Sequence, residues 1–286
     1  MSKQFTVALI VLTVVATLCV ACEFAFAQSF GRTMVYGFGS ISLPTESKDQ
    51  YQIQRMRFGI TSSPIDGVSV HFDGDFSQSF NLKCANVTGT VMQHTKVTFG
   101  RYLTPAQYSY ASAQAIQMSD WPDAQKRFTA FGTGVRAEYW NGPLAVRLAN
   151  FNDGESTRIG GQISAIAVGD TVGYDQSVEM TLVGESHVGY GATINGRHSP
   201  LFNPFMGGTA YDGPKSTTDV FIGTYVQAFP KIRLYAQYDW NNDHRPTRWL
   251  TGATYTFAPD SFLRLYYDSR LEKLVPSVSF SFKINA

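Results

Sequence analysis

The chain has 286 residues, a formal net charge of +1, 16% charged residues and 14% aromatic residues. So small a charged fraction is unusual for a soluble domain, whereas the aromatic fraction is typical of a membrane barrel with aromatic girdles. The net charge identifies no partner, and we expect neither a nucleic acid nor a cofactor.

The first 27 residues predict a cleaved export signal. Lys3 supplies a positive start, residues 7–20 are apolar, and residues 25–27 form an A-x-A cleavage site that would leave Gln28 as the first mature residue. The alternatives are an uncleaved membrane anchor and lipoprotein processing at Cys22. Residues 28–286 are then expected to form one domain, and they contain no second run of 18 apolar residues that could be a helical span. Cys84 is the single cysteine of this part, so it predicts a packed side chain and no disulfide.

Short segments with alternating apolar and polar residues follow one another along residues 28–286. Successive side chains of a strand point to opposite faces, so each segment predicts a strand with one apolar and one polar face. These segments are residues 68–75, 129–139, 144–148, 158–167, 220–227, 231–240, 248–257, 262–270 and 277–284. Two others are less regular. Residues 30–43 have apolar residues on both faces, and Arg101 in residues 96–103 lies either above the membrane or on a bulge at Gly100 that turns it inward.

The predicted connections alternate in length. Short ones are expected at residues 62–67, 141–142, 230 and 258–260, and long ones at 44–50, 104–126, 195–215 and 241–246. Barrels of bacterial outer membranes have short turns at one end and long loops at the other. The sequence therefore predicts an all-β, antiparallel transmembrane barrel of about 14 strands, within a range of 12–16, with residues 170–191 ambiguous. A secreted sandwich or jelly roll is the competing fold, since it also alternates.

Two segments resemble the strands of Gram-negative porins, above all the phosphate-selective porin O/P-like group. Residues 96–105, Lys-Val-Thr-Phe-Gly-Arg-Tyr-Leu-Thr-Pro, match a strand that leads into a long loop, and residues 134–153 match a strand, an Asn-Gly turn and a second strand. The resemblance implies an outer-membrane channel with a basic lumen, an inward-folded loop and a homotrimeric assembly.

Face parity predicts a lumen with more cations than anions. The predicted inward residues are eleven basic ones against five acidic ones, namely Arg55, Arg57, Arg136, Arg147, Arg158, Lys231, Arg233, Arg248, Arg264, Arg270 and Lys283 against Asp73, Asp75, Glu138, Asp239 and Asp268. Rings of arginine or lysine serve anion pores, although each arginine could instead pair with a carboxylate and support the wall. The segment 104–126 is either a constriction loop or a surface loop, and its predicted pore residues are Tyr108, Tyr110, Asp120, Trp121 and Asp123.

No enzyme activity is expected. Glu185-Ser186-His187, and Asp239 with His244, bring carboxylate, hydroxyl and imidazole groups near one another in sequence. Adjacent residues of a strand point to opposite faces, so Ser186 and His187 on one strand cannot form a nucleophile–base pair. No histidine and cysteine spacing of a metal site is visible.

The functional prediction is a porin of the Gram-negative outer membrane, in contact with its lipid. It would be a passive diffusion channel for small hydrophilic solutes, with a mild preference for anions in ion transport. The alternatives are a non-conducting structural or adhesive barrel and, third, a barrel that hydrolyses lipids.

Overall fold

In the computed structural model the chain forms strands throughout the part described, which comprises residues 32–42, 52–77, 79–105, 129–167, 172–196, 202–212, 216–242, 247–258 and 261–285. The strands are β1 (Arg32–Ser42), β2 (Gln52–Ile65), β3 (Val68–Asp75), β4 (Asn81–Met92), β5 (Thr95–Leu103), β6 (Phe131–Asn141), β7 (Leu144–Asn152), β8 (Thr157–Ala167), β9 (Val172–Val183), β10 (Val188–Gly196), β11 (Phe202–Asp212), β12 (Thr217–Phe229), β13 (Ile232–Asn241), β14 (Arg248–Ala258), β15 (Ser261–Asp268) and β16 (Lys273–Asn285). The described residues include no helix that is long and apolar enough to cross a membrane.

Each strand pairs antiparallel with its neighbour in sequence, and β1 pairs with β16, so the sheet closes into a barrel. Because the sheet is closed, no strand edge has unpaired backbone N–H and C=O groups. In lipid these groups must be paired within the protein, since no water is there to bind them. The predicted transmembrane β-barrel is confirmed, and its sixteen strands lie at the upper limit of the predicted range.

Strand β13 shows how the sequence selects the two faces. Tyr235, Gln237 and Asp239 are buried, whereas Leu234 and Tyr238 are exposed. The exposed set along the barrel consists largely of aliphatic and aromatic residues. An exposed apolar band of this extent is typical of a barrel whose outer face contacts lipid and whose alternate polar residues face the interior.

The connections follow the predicted alternation at the two ends of the barrel. One end carries the two-residue connections 66–67, 93–94, 142–143 and 230–231, and the other carries residues 43–51, 104–130 and 242–247. We call these the turn end and the loop end. One predicted long connection was wrong, because residues 195–215 contain strand β11. The ambiguous residues 170–191 contain β9 and the start of β10.

Inward aromatic rings explain why β11 looked like a loop. Gly207 faces Phe221 across the β11–β12 ladder, and Phe205 faces Gly223. A Cβ on Gly223 would lie 2.2 Å from Phe205 Cζ, so the ring occupies the space that the glycine leaves. In the sequence these glycines suggest a turn. In the barrel they leave space on the inner wall that a neighbouring aromatic ring fills.

Arg101 remains on the outward parity of β5. The ladder between β4 and β5 runs through Gly100 without a register shift, although Gly100 has a φ of 112°. The predicted alternative of a bulge at Gly100 was therefore wrong. The Arg101 Nε donates to the Leu82 carbonyl oxygen at 3.0 Å.

Candidate pore and its charged clusters

The interior of the barrel carries seven of the basic residues that were predicted to line the pore. Seven of the predicted arginines lie at inward strand positions, and none of them is fully exposed: Arg57 on β2, Arg136 on β6, Arg147 on β7, Arg158 on β8, Arg233 on β13, Arg248 on β14 and Arg264 on β15. Their side chains come from strands around much of the ring, since each strand contributes one inward row of residues.

Other predicted residues lie elsewhere. Lys231 is exposed in the two-residue turn between β12 and β13, and Arg270 lies in the turn between β15 and β16, so neither belongs to an inward row. The side chains of Arg55 and Lys283 fall outside the described residues. The same holds for the predicted constriction-loop residues Tyr108, Tyr110, Asp120, Trp121 and Asp123.

Four of the inward arginines make close ion pairs with carboxylates of an adjacent strand or its turn. Arg57 lies 2.8 Å from Asp73, Arg147 lies 2.8 Å from Glu138, and Arg158 lies 2.7 Å from Glu179. In the fourth pair, the Arg248 guanidinium donates to both oxygens of Asp268. Each pair joins neighbours in the barrel wall and does not bridge the lumen.

Three other inward arginines have described contacts with aromatic rings and neutral groups. The Arg136 guanidinium lies over the Tyr102 ring, at 5.2 Å from its centroid, and donates to the Leu103 carbonyl oxygen. Arg233 lies over Tyr225. The Arg264 guanidinium lies over the Phe262 ring and donates to the Ser279 hydroxyl. A ring face attracts a cation placed over it, so these rings help to hold the three guanidinium groups in place.

A first carboxylate-centred group, which we call the Asp73 cluster, comprises Tyr36, Arg57, His71, Asp73 and Cys84. The Arg57 Nη2 donates to both Asp73 oxygens at 2.8 Å, and the Tyr36 hydroxyl donates to Asp73 Oδ2 at 2.8 Å. The same hydroxyl lies 2.5 Å from His71 Nε2. Asp73 and the Cys84 thiol are buried, whereas His71 is half-buried.

A second group, the Glu179 cluster, comprises Thr129, Arg158, Glu179, His187 and Tyr211. The Thr129 backbone N–H and hydroxyl both donate to the Glu179 carboxylate, with the hydroxyl at 2.7 Å from Oε1. Arg158 donates to Glu179 and to His187 Nε2. The His187 ring stacks on Tyr211 with centroids 4.8 Å apart. These contacts connect the residues just before β6 with β8 and β9.

The turns beside this cluster hold two groups with displaced pKa values. Burial and the Arg158 guanidinium lower the pKa of His187, and Glu179 offsets only part of this effect. Burial raises the pKa of Asp153, but the backbone N–H groups of Ser156 and Glu155 and the charge of Arg158 outweigh it and hold the pKa below its usual value. His187 is therefore neutral and Asp153 is ionised at neutral pH.

Sequence reasoning missed three buried acidic residues. Asp175 and Glu179 lie on inward positions of β9, and Asp219 lies on an inward position of β12. The alternation of Val178, Met180 and Leu182 with the polar residues of β9 is the signal that could have found the first two. With these three, eight inward carboxylates stand against the seven inward arginines, so the predicted surplus of six cations is not found among the described residues.

The groups considered for hydrolysis do not form a nucleophile–base pair in the part described. Ser186 is exposed in the turn between β9 and β10, whereas His187 is buried there against Arg158 and Thr181. His244 falls outside the described residues.

The fold resembles solved outer-membrane proteins. A substituted variant of the Rhodobacter blastica porin matches with a TM-score of 0.65 and 17% identity, over 88% of this chain and 99% of that one. A loop-deletion form of OmpT, an outer-membrane protein of Vibrio cholerae, matches with a TM-score of 0.66 and 12% identity, over 89% and 100%. No protein-family model and no curated protein sequence matches the chain. At these identities the comparison shows the fold.

Proposed function

We propose that this protein is a porin of the Gram-negative outer membrane, a passive diffusion channel for small hydrophilic solutes. The observation that carries the proposal is a closed sixteen-stranded barrel with an apolar outer face and a charged inner face. A barrel of this strand number encloses an aqueous channel, whereas eight strands leave only enough room for side chains. The fold-level match to a porin agrees with this function.

We propose further that the channel prefers anions only mildly. The preference is supported by a difference in exposure within the ion pairs. The Arg57 side chain is 28% exposed against 3% for Asp73, and the Arg158 side chain is 15% exposed against 1% for Glu179. The Arg248–Asp268 pair shows the same order, with 8% against 1%, whereas in the Arg147–Glu138 pair the carboxylate is the more exposed partner, with 18% against 13%. In three of these four pairs a passing solute therefore meets the guanidinium group more readily than the carboxylate, and guanidinium groups favour anions. The added carboxylates of β9 and β12 keep the preference mild.

Conductance across a planar bilayer tests both parts. We expect stepwise single-channel currents and, under a salt gradient, a reversal potential of the sign for anions. Cation selectivity would contradict the charge argument while leaving the channel intact. A folded barrel that gives no current in repeated insertions would overturn the channel itself.

A matched pair of variants locates the selectivity. Arg57→Gln removes an exposed inward cation and should shift the reversal potential towards cations. Arg101→Gln removes an arginine of the outward parity and should leave the potential unchanged. Equal shifts in the two variants would show that the inward row of β2 does not set the selectivity.

A non-conducting structural or adhesive barrel is the second candidate, and the ion pairs argue against it. The four pairs Arg57–Asp73, Arg147–Glu138, Arg158–Glu179 and Arg248–Asp268 each link adjacent strands, so these pairs strengthen the wall and do not cross the lumen. We also propose that the chain has no enzyme activity. The cleaved signal of residues 1–27, the phosphate-selective subtype and the homotrimer stay predictions, and each follows from sequence or resemblance.

A further inference from the structure

Three kinds of metal donor converge in the Asp73 cluster. The donor atoms of His71, Asp73 and Cys84 all lie within 4.8 Å of one another. They supply an imidazole nitrogen, a carboxylate oxygen and a thiol sulfur, the three ligand types that Zn²⁺ takes in proteins. The Tyr36 hydroxyl lies against two of these donors, 2.5 Å from His71 Nε2 and 2.8 Å from Asp73 Oδ2.

The spacing of the donors fits tetrahedral coordination. Two ligands bound to Zn²⁺ at about 2.0–2.1 Å in a tetrahedron lie about 3.3 Å apart. The distance from His71 Nε2 to Asp73 Oδ2 is 3.3 Å. This edge of the tetrahedron is therefore already formed, and binding requires mainly that the Cys84 sulfur move closer and that the Tyr36 hydroxyl move aside.

The barrel topology produces this arrangement. His71 and Asp73 are two residues apart on β3 and thus point to the same face, and Cys84 is the direct partner of Asp73 on β4. Tyr36 reaches them from β1 across Gly59, where a Cβ would lie 2.4 Å from the Tyr36 hydroxyl oxygen. The histidine and the cysteine come from separate strands, which is why no ligand spacing of these two residue types was visible in the sequence.

We propose that His71, Asp73 and Cys84 form a binding site for a borderline or soft divalent transition metal, represented by Zn²⁺, on the inner wall of the barrel. The fourth position is open to water or to the Tyr36 hydroxyl. Arg57 holds the Asp73 carboxylate from the other side and orients it as an outer-shell partner. Hard cations such as Mg²⁺ are disfavoured, because they demand oxygen ligands.

The charges balance when the metal binds. Asp73 supplies one negative charge, His71 binds as the neutral ring, and the Cys84 thiol gives up its proton to the solvent and becomes the thiolate ligand. The two anionic ligands then neutralise the 2+ charge of the metal, and Arg57 stays as the cation it was. One proton leaves for each metal bound, so affinity rises with pH.

The site is reachable from the lumen at one ligand. The His71 side chain is 32% exposed, whereas the Asp73 side chain is only 3% exposed. The Glu179 cluster makes an internal contrast, because its histidine is buried and its Nε2 accepts a hydrogen bond from Arg158. We therefore expect no metal binding there.

Cobalt spectroscopy tests the proposal on the folded barrel in detergent. The chain without residues 1–27 contains Cys84 as its single cysteine, so a thiolate-to-cobalt charge-transfer band reports this residue alone. After chelator treatment, we expect Co²⁺ to produce the band at one equivalent and Zn²⁺ to abolish it. Cys84→Ser should lose the band, His71→Gln should weaken binding at least tenfold, and His187→Gln should bind normally.

Thiol labelling gives a readout that does not depend on colour. Zn²⁺ should slow the reaction of Cys84 with a maleimide in the parent barrel and should have no effect on the rate in His71→Gln. Boiling-dependent gel migration confirms that each variant is folded. A folded parent barrel with no charge-transfer band and no Zn²⁺ protection would overturn the proposal, as would saturable binding that survives both Cys84→Ser and His71→Gln. Channel conductance is measured separately, so failure here leaves the proposed function standing.

Discussion

The Asp73 cluster and the Glu179 cluster contain similar side chains but differ in what those side chains contact. Each centres on a buried carboxylate that pairs with an arginine, and each contains a histidine next to a tyrosine. In the Glu179 cluster the carboxylate also holds the backbone of Thr129, and its histidine lies between an arginine and a ring. In the Asp73 cluster the carboxylate faces a thiol and a partly exposed histidine.

The difference shows how the surroundings change what a carboxylate, an arginine, a histidine and a tyrosine can do together. In the Glu179 cluster the carboxylate and the histidine nitrogen already accept hydrogen bonds from Thr129 and Arg158, so this cluster stabilises the wall. The donors of the Asp73 cluster are close together and can be reached from the lumen. On our proposal this cluster binds a metal ion when the Cys84 thiol loses its proton and the Tyr36 hydroxyl moves aside. Four changes test this contrast.

The largest effect is expected for Glu179→Gln. The amide removes one of the two counter-charges of the half-buried Arg158, whose Nε also lies 2.8 Å from Asp153, and it leaves a single acceptor oxygen for the two Thr129 donors. We expect a loss of about 3 kcal/mol in the free energy of unfolding, the low end of the range for breaking a buried ion pair, because Asp153 still pairs with Arg158. Urea unfolding of the barrel in lipid vesicles measures the change. A loss below about 1 kcal/mol would mean that the cluster does not support the wall.

Gly59→Ala should have the next largest effect. The new methyl group would overlap the Tyr36 ring and come within 2.7 Å of the Asp73 Cβ. Overpacking of this kind costs about 1–3 kcal/mol. Gly89→Ala is the matched control, because nothing lies within 4 Å of a Cβ at that position. Equal stability of the two variants in urea would contradict the close packing of the Tyr36 ring against Gly59 on β2.

Asp73→Asn should destabilise the barrel less than Glu179→Gln. The Arg57 side chain is partly exposed, so water can solvate the guanidinium when its partner is neutralised. We expect a loss of about 1–2 kcal/mol, between the values for surface and buried pairs. The same urea titration, run beside that of the glutamate variant, gives the order. The reverse order would show that depth of burial does not separate the two clusters.

The smallest effect is a pH dependence that belongs to the Glu179 cluster. The folded pKa of His187 lies below the unfolded value, so the unfolded chain binds more protons as the pH falls. The contribution of His187 is complete above the unfolded pKa of about 6.5 and is lost as the pH falls towards the lower folded value. We expect the free energy of unfolding to fall between pH 7.5 and 5.5, and to fall less in His187→Gln. Identical pH profiles of stability in the two proteins would show that His187 does not cause the pH dependence.

Some features were predictable because their causes are local. The alternation of Leu234, Tyr238 and Trp240 with Arg233 and Asp239 predicted both faces of β13, and the structure agrees. The short turns and long loops predicted two unlike ends. The pattern failed at β11, where Pro204 and the Gly207-Gly208 pair look like a loop when the covering rings are unknown.

The sequence by itself determined a barrel of two-faced strands, since a period of two and the turn residues act over a few positions. Only the tertiary structure decided which interior groups meet. The register of β1 to β4 brings Tyr36, His71, Asp73 and Cys84 together. These pairings join residues far apart in the chain, and the balance of interior charge depends on them. Contacts of this kind follow from register and closure, which no local pattern encodes.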